Sequence, residues 1–113
     1  MIVVLNLFDI LPGRESEYAE YLRRVQSVLD RHGAKVLLYG LTRMIYMGAY
    51  TQEYCGLVAY PDVQALKAFS HDEEFLAIRP MRDESTRNYF MSAVESFDSM
   101  GAAAEYLRRR AGT

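Results

Sequence analysis

The residue order predicts an α+β domain of the ferredoxin-like class, βαββαβ, with a four-stranded antiparallel sheet and its helices on one face. Three observations carry that prediction. Short runs rich in Val, Leu, Ile and Tyr alternate with helical periodicity in the order strand, helix, strand, strand, helix, strand, which is the split βαβ arrangement. Breakers stand at the junctions, notably Pro12-Gly13, Gly33 and Pro61. The length, 113 residues, fits one domain, and a chain of that size buries roughly two-thirds of its unfolded surface without disulfide staples. The expected division is a ferredoxin-like domain over 1–97 followed by a C-terminal helical extension over 98–113.

Ile2 to Phe8 reads as the first strand, closed by Asp9. From Tyr18, apolar residues recur at Tyr21, Leu22, Val25, Val28 and Leu29, one face of a helix that Gly33 stops. Lys35 to Leu41 and Glu53 to Tyr60 read as the second and third strands, joined by a long hairpin arm containing Gly48. Asp62 is the expected N-cap of a helix with Val63, Leu66 and Phe69 on one side. Ser70-His71-Asp72-Glu73 has the S-x-x-E form of a capping box, so a second short helix is expected to run toward Arg79 and to be interrupted by Pro80. Asn88 to Phe97 reads as the fourth strand. Ser99 caps a last helix with Met100, Ala103, Ala104 and Leu107 on one side, its terminal arginines suiting the dipole.

Both faces of this sheet look apolar. Ile2, Val4 and Phe8 oppose Val3, Leu5 and Leu7; Val36 and Leu38 oppose Leu37, Tyr39 and Leu41; Val58 and Tyr60 oppose Cys55, Leu57 and Ala59. Two main helices cover one face only. An uncovered apolar face is unusual on a monomer, so a homodimer packed through the sheet face is expected, with the last helix reaching toward the partner.

Composition narrows the function classes. Thirteen basic against fifteen acidic residues leave a net charge of −2, which argues against nucleic acid as a partner, since phosphate binding needs a basic surface. No apolar run approaches the ~20 residues of a membrane span, so no membrane partner is expected. One cysteine excludes an internal disulfide. The N-terminus lacks a basic region and a small-residue cleavage site, and a cytoplasmic location is expected by elimination. No metal-ligand spacing, phosphate loop or dinucleotide turn is present, so no metal and no cofactor are expected.

Arg31-His32-Gly33, Tyr60-Pro61 and above all the run Ser70 to Arg82 (SHDEEFLAIRPMR) resemble the domain-of-unknown-function family 1330 (DUF1330), small bacterial proteins of the dimeric α/β-barrel superfamily. The resemblance spans roughly residues 1 to 97. It implies a barrel made of two back-to-back sheets. The wider superfamily holds cofactor-free monooxygenases, haem-degrading monooxygenases, muconolactone-type isomerases and plain ligand-binding domains, and fold analogy does not choose among them. The haem-degrading members use a strand asparagine with a tryptophan and a histidine. This chain has Asn6 but no tryptophan, which argues against that activity.

Arg82, near the mouth between helix and sheet, is the first candidate for holding a ligand carboxylate, because its guanidinium fork suits that group. The plainer role is pairing with Asp83, Glu84 or a helix C-terminus. His71 is the candidate for moving a proton, or else an exposed residue of a capped helix; His32, before Gly33, more simply serves the helix dipole. Asn6 either lines a pocket or is satisfied within the sheet. Among the nine tyrosines, Tyr39, Tyr46, Tyr50, Tyr54 and Tyr60 gather around the hairpin; Tyr39 and Tyr60 are expected to wall a pocket, with the dimer seam as the alternative. Two functions follow: a pocket for a small hydrophobic or aromatic acid, with cofactor-free oxygenation or isomerisation as candidate chemistry, or a non-catalytic ligand-binding or protein-interaction module. A strongly perturbed histidine, or a closed pocket joining Asn6, a tyrosine and Arg82, favours the enzyme; a collapsed interior filled by Phe75, Phe90 and Met91 favours the non-catalytic module.

Overall fold

A computed structural model describes residues 1–112. The elements run β1 (Ile2–Ile10), α1 (Glu15–Arg31), β2 (Lys35–Leu41), β3 (Tyr54–Tyr60), α2 (Val63–Ser70), α3 (Glu73–Ser85), β4 (Thr86–Glu95) and α4 (Met100–Arg110). The strands form one antiparallel sheet in the order β2-β3-β1-β4, the ferredoxin-like topology. On central β1, Val4 lies between Val58 and Ala93, and Asn6 between Gly56 and Met91. Strand alternation then points Val4, Asn6 and Phe8 to one face, where all three are buried with the helices. Among the described residues no helix is long and apolar enough to cross a membrane.

The buried stripe of α1 is Tyr18, Tyr21, Val25, Val28 and Leu29, and it packs with Phe8, Val58, Phe69, Phe75 and Ile78 into one core. Gly33 ends the helix at φ +70, a conformation that only glycine adopts cheaply. A Cβ there would also come within 3.3 Å of the Pro61 ring. Asp62 caps α2 as expected, accepting from the Ala65 amide at 2.8 Å.

Helix α3 departs from expectation in two ways. Its N-cap is Asp72, which accepts from the Glu74 and Phe75 amides at 2.8 and 3.3 Å. Ser70 instead donates back to the Leu66 carbonyl at 2.9 Å, so there is no Ser70 capping box, and His71 is the C-cap of α2. Pro80 does not interrupt the helix; it lies inside it, and α3 continues to Ser85. The ring is on the exposed side, where water can pair the Leu76 carbonyl that proline leaves without a donor. Phe75, Ile78 and Ser85 stay buried along the inner side. Asp72 also receives Arg31 at 3.1 Å and the His32 ring at 2.8 Å, tying the end of α1 to the start of α3. His32 first, then Arg31 and the two cap amides, hold its carboxyl well below the usual range.

Two bulges reset the strands. One falls between Leu7 and Asp9 where β1 meets β4. Opposite it, Asn88 adopts φ +53, which asparagine tolerates better than most residues, and donates to Asp9 at 3.0 Å. Asp9 also accepts from the Glu53 amide at 2.8 Å. The other bulge lies between Val36 and Leu38. It reverses part of the expected facing of β2: Tyr39, opposite Gly56, joins Val36 on the helix side, and Leu38, opposite Leu57, turns to the other. Strand β4 starts at Thr86 and ends at Glu95, two residues earlier than expected at each end.

The face away from the helices carries Val3, Leu5, Leu7, Leu38, Leu57 and Phe90, with Cys55 beside Leu7. Leu38 and Phe90 are each 49% exposed, and Cys55 is half-buried. Helix α4, capped by Ser99 at 3.0 Å, buries none of its residues. The arm joining β2 to β3 is closed at its base by the Thr42 amide and the Glu53 carbonyl, 2.8 Å apart, while Tyr46 and Met47 at its tip are more than 90% exposed. The radius of gyration is 16.3 Å, against roughly 13 Å for a compact domain of this length.

Candidate functional site

Between the helix layer and the sheet lies a cavity of about 420 Å3, within the usual range for small-molecule sites. Its walls follow from the patterning of each element. The inner stripe of α1 supplies Tyr18, Tyr21 and Val25; the inner face of the sheet supplies Asn6, Tyr39 and Tyr60; α3 supplies Phe75 and Arg82. Tyrosine takes the place of leucine at several of these positions, so each buried ring also carries a hydroxyl that must find a partner.

Those hydroxyls are organised. Tyr89 donates to Asn6 Oδ1 at 3.0 Å. Asn6 Nδ2 in turn donates to the Val4 carbonyl at 3.3 Å, with the Gly56 carbonyl at 3.5 Å. The Tyr18 and Tyr39 hydroxyls hydrogen-bond to each other. The Tyr39 ring crosses directly over Gly56, where a Cβ would stand 2.9 Å from two of its ring carbons; here the small residue is needed for close approach. Among the described residues, no buried side-chain polar atom lacks a hydrogen-bond partner. Burial holds all five phenols, Tyr18, Tyr21, Tyr39, Tyr60 and Tyr89, above their ordinary value, with Tyr39 pushed up to about 12.

Arg82 is the more buried of the two charged groups that line the cavity, the other being Arg79. It stands in the last turn of α3, and its side chain is 17% exposed. The guanidinium carbon lies 5.7 Å from the Phe75 ring centre and 5.4 Å from that of Tyr89, within cation–π range. Nε and Nη2 both reach Asp83 Oδ1 at 3.1 Å. Asp83 is half-exposed and shares its other oxygen with Arg79 at 3.4 Å. Burial pulls the guanidinium down, but Tyr21, Tyr89 and Asp83 outweigh it and raise its pKa. Arg82 therefore both pairs with Asp83 and lines the cavity.

Asn6, Tyr39, Tyr60 and Arg82, singled out from the sequence, all line this one cavity. His71 does not: at the exposed C-cap of α2, its Nδ1 lies 2.8 Å from the Lys67 carbonyl, engaged with its own helix. His32 belongs to the Asp72 cluster. Phe75 and Met91 border the cavity without filling it, and Phe90, paired with Leu7, is on the opposite face. The hairpin tyrosines divide. Tyr54 stacks on Phe8 with ring centres 5.5 Å apart, Tyr50 meets the Thr42 hydroxyl at 3.1 Å, and Tyr46 is exposed at the arm tip. Sequence reasoning passed over Tyr18, Tyr21 and Tyr89 as site residues. The available signal was tyrosine at i and i+3 on the apolar stripe of α1.

A family model described as "Domain of unknown function (DUF1330)" matches residues 11–97. The comparison with curated proteins found no match. Among solved structures, a protein of unknown function from Rhodopseudomonas palustris superposes with a TM-score of 0.76 at 20% identity, covering 87% of this chain and 83% of that one. A dimeric ferredoxin-like protein of unknown function from Jannaschia sp. CCS1 gives 0.71 at 17% identity over 84% and 98%. SnoaB, a cofactor-independent oxygenase from Streptomyces nogalater, gives 0.63 at 12% identity over 87% and 94%. At these identities the likeness is one of fold.

Proposed function

This chain belongs to the DUF1330 family, a domain of unknown function, and we propose that it is a homodimeric domain that binds a small hydrophobic or aromatic acid between helices and sheet. The observation that carries the reading is a largely buried guanidinium, Arg82, in a wall made mostly of tyrosine, phenylalanine and aliphatic side chains, with the half-exposed Arg79 beside it. Arg82 anchors the carboxylate, Tyr39 and Tyr60 flank the ring, and Asn6 closes the sheet side. The homodimer rests on the apolar outer face of the sheet, supported by the dimeric state named for the Jannaschia protein; it completes a two-sheet barrel. No membrane and no nucleic acid enter this reading.

A catalytic version, cofactor-free oxygenation or isomerisation, draws support from the activity named for SnoaB. The binding version draws support from the placement of His71, the proton-moving candidate, away from the cavity. Thermal unfolding at fixed protein concentration separates pocket from no pocket. An aromatic acid at about 100 times its dissociation constant adds roughly 2.7 kcal/mol, which raises the midpoint by several degrees in a domain this size. The shift is expected in the wild type and lost in Arg82→Gln. An equal shift in both proteins removes Arg82 from the site, and no shift across aromatic acids, quinols and lactones removes the pocket reading.

A further inference from the structure

The charged groups in the lining of the cavity are all cationic. Facing Arg82 are Tyr21 from α1, Tyr39 from β2, Tyr60 from β3 and Tyr89 from β4, and from its own helix Asp83 and Arg79. Asp83 is half-exposed and already holds both arginines. The described residues of the lining include no Asp, Glu, His, Lys or Cys. Asn6 Oδ1 is taken by the Tyr89 hydroxyl. Buried phenols stay protonated through neutral pH. The wall thus offers two guanidinium groups, Arg82 and the more exposed Arg79, with phenol, amide and hydroxyl groups, and among its described residues no side chain that takes up a proton near neutrality.

An acidic ligand meets opposite forces there. An apolar cavity disfavours its ionised form, whereas a cation within about 4–6 Å and hydrogen bonds to the anion favour it. Two of the three act toward the anion, and a charge-assisted bond to a guanidinium is roughly twice as strong as a neutral one. We infer that the cavity binds weakly acidic phenols and enols as their oxyanions and so makes the bound ligand a stronger acid than it is free in water. The ligand O–H bond breaks with both electrons remaining on oxygen, and the proton leaves to solvent water. This rests on the pocket reading above and adds to it a ligand class and a charge state.

A nitrophenol, coloured only as its phenolate, is the probe. Equilibrium dialysis establishes that it binds, and its absorbance is then titrated against pH with the protein in excess. In the wild type the colour transition is expected to move to lower pH by about 1–3 units, where each unit means tenfold tighter binding of phenolate than of phenol. Arg82→Gln should return the transition to the free value or above it. Tyr39→Phe, which keeps the ring and removes one donor, should move it part of the way. Binding with an unchanged or raised transition in the wild type overturns the inference and leaves the pocket standing. Failure to bind any phenol or aromatic acid in dialysis overturns both.

Discussion

At the scale of single residues, the Asn6–Tyr89 pair is the most constrained polar contact in the interior. Asn6 is 7% exposed, and its carbonyl oxygen and amide group are engaged with Tyr89 and the β-sheet backbone respectively. Removing one partner leaves the other buried without its bond, a cost of about 1–3 kcal/mol, whereas replacing both by apolar groups is far cheaper. Tyr89→Phe and Asn6→Leu are each expected to destabilise by that amount. The double variant should cost less than their sum, which urea unfolding of the four proteins would reveal; strict additivity would show that the two side chains do not share this bond. Asn6 could be singled out because an amide inside an apolar strand needs an explanation. Tyr89 could not, because only the β1–β4 register brings it to Asn6, and a bulge sets that register.

At the scale of elements, the lesson is where local rules hold. The apolar stripe of α1 was legible because 3.6-residue periodicity depends on the helix alone. The same is true of the Asp62 and Ser99 caps. Helix α3 was misread because proline is a breaker only when its neighbours cannot accommodate the lost bond, and exposure of position 80 depends on what the helix packs against. Likewise, the facing of β2 was misread past Val36 because a bulge leaves no mark in alternation. Since proline in a helix interior is about 3 kcal/mol less favourable than alanine, and roughly 0.4–1 kcal/mol of that is returned by its stiffening of the unfolded chain, Pro80→Ala should stabilise the protein by about 2 kcal/mol. A urea midpoint that does not rise would mean that the proline ring makes contacts its exposed position does not suggest.

At the scale of the whole molecule, the sheet is a single wall with a cavity on one side and an apolar surface on the other. Successive residues of β3 serve the two sides in turn: Gly56, Val58 and Tyr60 are on the helix side, where Val58 and Tyr60 line the cavity, and Cys55 and Leu57 face outward. The uncovered apolar face could be read from that double-sided pattern, since it is a count of apolar residues against available cover. Four residues of the cavity wall could be named as well, but its volume could not, because that depends on the distance at which Tyr18 and Tyr21 hold α1 off the sheet. The position of Cys55, the one thiol of the chain, on the outer side turns it into a built-in chemical clock of assembly. A thiol reagent should consume it quickly in dilute protein and ever more slowly as concentration rises, because a partner seated on Leu57 and Leu7 shields the sulfur. The concentration at which the rate halves reads out the dissociation constant of the pair without any mass being measured, and a rate indifferent to concentration would mean that a partner does not sit there.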